Sequence, residues 1–195
     1  MRADGERRTG VGMLRGLTRQ YPEVASLERQ VIRRIFGRMV GMPHFDEVDR
    51  RLLELLQKDA RQSNKELADV VGIAQSTCLE RVRALRARGV VLGYRADVDL
   101  GAVGRPIQAF LMVRLAPKTT NSVRAFQRDM LKRPETLSVS TVTGADDFVL
   151  RVAVPDVLHL RDFILDHVTS RKDVVDARSS IVYETVRPPV IMPMG

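Results

Sequence analysis

Residues 63–91, SNKELADVVGIAQSTCLERVRALRARGVV, hold two helical patterns around a glycine turn. Ser63 with Glu66 three positions on is a capping box, in which each partner satisfies an orphan amide of a first helical turn. Leu67 and Val71 then face inward, and Gly72 stops the helix. After Gly72-Ile73-Ala74 a further helix runs to about Arg88, with Cys78, Val82 and Leu85 at i, i+4 and i+7 and Gly89 as its C-terminal residue. The small Ala68 and the turn residue Gly72 let the two helices approach closely and cross steeply, as a helix-turn-helix requires.

Turning Cys78, Val82 and Leu85 inward leaves Ser76, Thr77, Glu80, Arg83 and Ala87 on the outer face, with Arg81, Arg86 and Arg88 flanking it. Two readings of this face are open. Helices of this kind read base edges with their N-terminal side chains while neighbouring cations and hydroxyls hold phosphates. A three-helix bundle without DNA would equally show a solvated face, with Arg86 and Arg88 answering the helix dipole. Upstream, Asp46 caps a first helix carrying Val48, Leu52, Leu53, Leu55 and Leu56, which ends near Asp59-Ala60. Downstream, Val90, Val91 and Tyr94 suggest a short wing strand, so this half reads as a winged helix-turn-helix.

Beyond a linker at Asp97-Val98-Asp99-Leu100-Gly101 and Gly104 the periodicity changes. Ile107, Ala109, Leu111, Val113 and Leu115 share one face of a strand, and Gln108, Phe110, Met112 and Arg114 share the other. Asn121 or Thr120 caps a helix with Val123, Phe126, Met130 and Leu131 inward, stopped before Pro134. Leu137–Thr143 and Asp147–Val154 form a hairpin joined at Gly144. Asp156 caps a second helix with Val157, Leu160, Ile164 and Val168 inward, and Val174–Val186 is the last strand. The order βαββαβ is the ferredoxin-like plan, one antiparallel sheet with both helices on one face. Phe110, Met112, Val142 and Val149 make its bare face partly apolar, which calls for a partner such as a second copy.

The 195 residues, 44% of them apolar, suit two small domains that each bury a core. The fold class is α+β. No apolar run approaches the length of a membrane span, and the first thirty residues lack a leader-type apolar segment, so a cytoplasmic protein is expected. One cysteine, Cys78, excludes an internal disulfide, and no Cys/His cluster has zinc spacing. The net charge of +8 points to a polyanionic partner, but residues 1–41 alone carry nine Arg against four acids. The DNA reading therefore rests on the motifs rather than on the total charge.

Five segments are expected. Residues 1–41 are an extension, a Gly/Arg arm continuing into a short basic helix with Val24, Leu27, Val31, Ile32 and Ile35 on one side, and Met42 would be a natural start for the two domains beyond it. Residues 42–95 are the DNA-binding domain, 96–105 the linker, 106–187 the ferredoxin-like domain and 188–195 a tail.

Taken together, residues 42–187 resemble the Lrp/AsnC family of feast/famine transcriptional regulators. The resemblance is carried by DEVDRRLLELLQKDAR, by LADVVGIAQSTCLERVRALRARGVV, by Gly93-Tyr94, and by the VTGADDFVLRV hairpin, whose Gly144-Ala145-Asp146-Asp147-Phe148 is similar to the family's Gly-x-x-Asp-aromatic signature. It implies a DNA-binding domain, a RAM-type domain that dimerises through its sheet, assembly of dimers into octamers, and an amino-acid effector held between dimers near Gly144, Asp146 and Asp147. Exposed amides of a glycine hairpin suit a carboxylate, and an acid suits an α-ammonium; ordinary turn chemistry would also place acids there. Ala74 departs from the serine that many members use as a cap, and the extension 1–41 has no family counterpart.

On double-stranded DNA, Gln75, Ser76, Thr77, Glu80 and Arg83 are expected to read or orient, and Lys65, Arg81 and Arg86 to contact phosphates. No cofactor is expected beyond the amino-acid effector. An enzyme finds no support: His44, His159 and His167 are scattered, Cys78 lies on an inward stripe, and no phosphate loop, dinucleotide fingerprint or catalytic triad is present. The strands also lack the clustered aromatics of an RNA-binding sheet. A sequence-indifferent architectural DNA binder and a ligand sensor without promoter recognition remain as alternatives.

Overall fold

The computed structural model describes residues 44–194; the arm and basic helix expected within 1–41 lie outside them. The described chain forms two compact units, one of residues 44–97 together with 184–194, the other of residues 98–183.

The helical unit holds α1 (Glu47–Lys58), α2 (Asn64–Val71) and α3 (Gln75–Ala87). Each boundary has a local cause. The Asp49 amide donates to the Asp46 carboxylate and starts α1, and the Ser63–Glu66 capping box starts α2. Gly72 ends α2 in the left-handed region at φ +76°, where a side chain would be strained. The cap of α3 is different: Ala74 supplies extended backbone but no side-chain acceptor. At its far end the amides of Gly89 and Val90 donate to the Arg86 and Leu85 carbonyls, a Schellman closure. Leu52, Ala68, Cys78 and Leu85 are completely covered, and Leu53, Leu55, Leu56 and Leu67 nearly so. The wing strand expected at Val90, Val91 and Tyr94 does not form. Residues 89–99 carry no β-structure, because no described strand of the unit offers this segment a ladder to join.

The sheet unit runs β1 (Ile107–Leu115), α4 (Thr120–Leu131), β2 (Thr136–Thr141), β3 (Phe148–Val154), α5 (Val157–Phe163), a π-helical turn (Ile164–Thr169) and β4 (Val174–Ile181). Its strand order is β2-β3-β1-β4, antiparallel throughout, which is the ferredoxin-like plan. Alternate residues Ala109, Leu111, Val113 and Leu115 meet Phe148, Leu150, Val152 and Val154 on the face covered by Val123, Phe126 and Met130 of α4 and by Leu160, Phe163 and Val168. Phe126 stacks on Phe148 with ring centroids 4.6 Å apart. Phe110 and Met112, with Arg151 and Val149 as their partners on β3, occupy the opposite face.

Four details depart from the sequence reading. Thr119, not Thr120 or Asn121, caps α4, because Ser122 lies three residues on and returns a bond to it. Leu131 and Val157 point outward, at 63% and 53% exposure. Phe163, three residues after Leu160, joins the core beside the expected Ile164, and the π-helical turn that follows brings Val168, five residues on, to the same core. The last strand ends at Ile181 rather than Val186, because its partner β1 begins at Ile107 and the pairing runs out at Ala109↔Ile181.

Candidate nucleic-acid interface and ligand loop

The candidate DNA face is built on α3, whose inward residues Cys78 and Leu85 fix its rotation on α1 and α2. With these buried, Gln75, Ser76, Thr77, Glu80, Arg83 and Arg86 are exposed, and Lys65 is exposed on α2. Asn64 Nδ2 donates to the Gln75 carbonyl at 2.7 Å, tying the start of α2 to the start of α3. The guanidinium of Arg86 lies over the Tyr94 ring, 5.6 Å from its centroid. Burial also pushes the Cys78 thiol up, keeping it protonated as a small core residue rather than a nucleophile.

Arg81 is occupied within its own unit. Its Nη1 donates to Asp46 at 2.5 Å and to Asp49 at 3.3 Å. Arg88, two turns further on, pairs with Asp49 at 3.5 Å, donates to the His44 carbonyl, and lies over the Phe45 ring. Asp49 is one of two buried acids among the described residues, and these two arginines neutralise it. The Asp49 amide, and then the Arg81 guanidinium, hold the Asp46 carboxyl below the usual carboxylate range; Asp46 in return raises Arg81. Periodicity puts Arg81 on the flank of the outer face, and it cannot show that α1 presents two carboxylates there.

The candidate ligand loop is the 142–147 turn between β2 and β3, closed by the Val142 amide donating to the Asp147 carbonyl. Gly144 is exposed with φ +122°, a region that a side chain would strain. Asp147 is buried, and both of its carboxylate oxygens are engaged: one accepts from the Leu115 amide at 2.8 Å, the other pairs with Lys118 at 2.7 Å. Asp146 pairs with Arg178 of β4 at 2.6 Å, and Arg178 also reaches Asp176. Asp147 thus ties the loop to the end of β1, and Asp146 ties it to β4. The Lys118 and Arg178 partners carry no short-range sequence signal; they lie 29 and 32 residues from the acids they hold. The DNA set and the loop set belong to different units. Among the described residues no group of His, Cys, Asp and Glu converges as a metal site, and no helix is long and apolar enough to cross a membrane.

A helix-turn-helix with a bare, hydroxyl- and arginine-bearing face, joined in one chain to an antiparallel sheet domain with a braced loop, defines a DNA-binding regulator with an appended sensing domain. Residues 45–86 match the AsnC-type helix-turn-helix domain and residues 108–190 the Lrp/AsnC ligand binding domain. The chain is 40% identical over 162 residues to the HTH-type transcriptional regulator AldR of Mycobacterium tuberculosis, spanning 83% of this chain and 90% of that one. It is 33% identical over 149 residues to the leucine-responsive regulatory protein of Rhizobium meliloti, covering 76% and 96%. Among solved structures, a transcriptional regulator of Neisseria meningitidis in complex with L-methionine superposes with TM-score 0.68 at 32% identity, over 74% of this chain and 94% of that one. The chain belongs to the Lrp/AsnC family of transcriptional regulators: it is a DNA-binding regulator with a ligand-binding domain, and not an enzyme.

Proposed function

We propose that this regulator reads specific promoter sequence through Gln75, Ser76, Thr77, Glu80 and Arg83, with Lys65 and Arg86 on phosphates, as a cytoplasmic homodimer whose response is set by an amino acid. One observation carries the DNA assignment. Arg81 and Arg88 are spent on α1, whereas Arg83 and Arg86 are exposed and form no ion pair with another described residue. Two arginines are tied to Asp46 and Asp49 at the edge of α3, and two project without an acidic partner among the described residues to meet a polyanion. Arg81 accordingly acts through placement of α3 more than through a phosphate of its own.

Dimers would present two α3 helices to successive major grooves. The uncovered sheet face, where Phe110 is 39% exposed beside Met112 and Val149, supports pairing through the sheet, and assembly of dimers into octamers extends the same reading. The same reading assigns the amino-acid effector to the Gly144 loop, whose exposed residues 143–145 can offer backbone amides to a carboxylate. Of the two acids, Asp146 is the better partner for an ammonium, since it is less buried than Asp147 and gives one oxygen to Arg178. The relative crystallised with L-methionine supports an amino acid as the ligand class. The ligand alters DNA affinity only by its preference for one assembly over another.

The test is a titration on the protein's own upstream DNA and on a scrambled fragment at fixed salt, with and without a mixture of the twenty amino acids. Binding at least tenfold tighter to the upstream DNA, shifted by the mixture, is expected. Arg83→Ala should reduce that preference without unfolding the helical unit. Equal binding to both fragments would replace this reading with the architectural one.

A further inference from the structure

The helical unit contains a segment from the far end of the chain. Gln57 of α1 forms a two-way clasp with Ile191: the Ile191 amide donates to Gln57 Oε1 at 2.9 Å, and Gln57 Nε2 donates to the Ile191 carbonyl at 3.0 Å. Arg50, two turns earlier on α1, donates to the Pro193 carbonyl at 3.2 Å. Ile191, Met192 and Pro193 form one wall of a 490 Å³ groove whose other walls are Phe45, Leu53 and Leu56 and the chain from Val90 to Tyr94. The clasp spans 134 residues of sequence.

We infer that residues 190–194 are a releasable strap that docks in cis on α1 and holds the helical unit in its DNA-competent form. The contacts are polar and few, and the apolar side chains are only partly covered, with Ile191 at 75%, Met194 at 91% and Met192 at 42% exposure. A segment fastened by a handful of part-exposed hydrogen bonds sits at the low-stability end of a structure, where opening costs little. Pro188, Pro189 and Pro193 restrict the backbone on either side of the clasp, which lowers the entropy lost on docking. The strap is therefore cheap to seat and cheap to release. It also continues from β4, the strand whose Arg178 grips Asp146 of the ligand loop, so the chain that leaves the sensing sheet is the one that fastens α1.

Three readouts on the full chain test this. The Ile191 amide should exchange more slowly than that of Met194. A Gln57→Cys/Ile191→Cys pair should oxidise to a crosslink within one chain on a non-reducing gel. Loss of residues 190–195 should weaken binding to the upstream DNA by roughly three- to tenfold, the size of two or three part-exposed hydrogen bonds, while the crosslinked form binds at least as tightly as the parent. Gln57→Glu sets a carboxylate against the Ile191 carbonyl and should reproduce the loss without shortening the chain. A crosslink between two chains would overturn docking in cis. Unchanged DNA affinity and unchanged α1 exchange in both the shortened chain and Gln57→Glu would overturn the strap's role. The DNA readout rests on the promoter-reading function proposed above. If the parent chain binds no DNA, that reading fails, and amide exchange with the crosslink still decides the strap.

Discussion

In the sheet unit fourteen side chains close one core, most of them wholly covered and two of them stacked phenylalanines. The helical unit closes on eight, of which Leu52, Ala68, Cys78 and Leu85 are wholly covered, and it contributes no aromatic ring to that set. The difference shows in how each unit is fastened. Both units have polar ties, the sheet unit at Asp147 with Lys118 and at Asp146 with Arg178, but three short helices enclose less volume than four strands and two helices, so in the helical unit such ties are a larger share of what holds it. Those ties are Asp46 and Asp49 with Arg81 and Arg88, and Gln57 and Arg50 with the strap. A reading face must stay bare to meet DNA, so the helical unit cannot also bury it.

The largest test of that contrast is Phe148→Ala. Removing a fully buried ring stacked on Phe126 should cost the sheet unit about 3–5 kcal/mol. Two-probe denaturant unfolding should show the sheet transition moving while the helical one stays. A shift of both together would mean that the units unfold as one. Next, Asp147→Ala strips the Leu115 amide and Lys118 of a shared buried acceptor and should cost about 1–3 kcal/mol, read as faster exchange at the Leu115 amide.

A smaller effect distinguishes the helical unit by pH. The Asp46 carboxyl is held below its ordinary value of 3.8, so the stability it confers is present well above that value and is lost as pH falls through it towards the folded value. The cap as a whole is worth about 1 kcal/mol. Asp46→Asn keeps a capping oxygen that does not titrate, and its acid limb should be flatter than that of the parent. An identical acid limb would assign the dependence to another group. Smallest is Ala74→Ser, which supplies the side-chain acceptor that α3 lacks and should raise helical-unit stability by about 0.5–1 kcal/mol. A coincident change in DNA preference would show that the cap also sets how α3 enters the groove.

Local chemistry makes much of this legible from sequence. The Ser63–Glu66 box, Gly72 and the Cys78–Leu85 stripe are complete within a dozen residues, so they fix α2, the turn and the rotation of α3 without reference to anything distant. Strict alternation over Ile107–Leu115 does the same for β1. What escapes is set at long range or by packing. Arg81 looks free because Asp46 lies 35 residues away. Phe163 and Ile164 both fit the helical spacing from Leu160, and only the packing shows that Phe163 is the more deeply buried, while Val90–Tyr94 looks like a strand because a β-rich composition does not reveal whether a partner exists. The loop acids are readable as a pair, but which of them is walled in by Leu115 and Lys118 depends on the pairing of β1 with β3.

The clasp at Gln57 also imposes an order on biosynthesis. The helices emerge from the ribosome first, but Ile191 and Pro193, which complete the wall beside α1, are made only after every strand of the sheet. Until then the nascent helical unit has an open side, at the stage when neighbouring chains on the same message are close by. A fragment cut at residue 97 to isolate the DNA-binding half would keep that immature form permanently, and its behaviour would describe a translation intermediate rather than the finished unit.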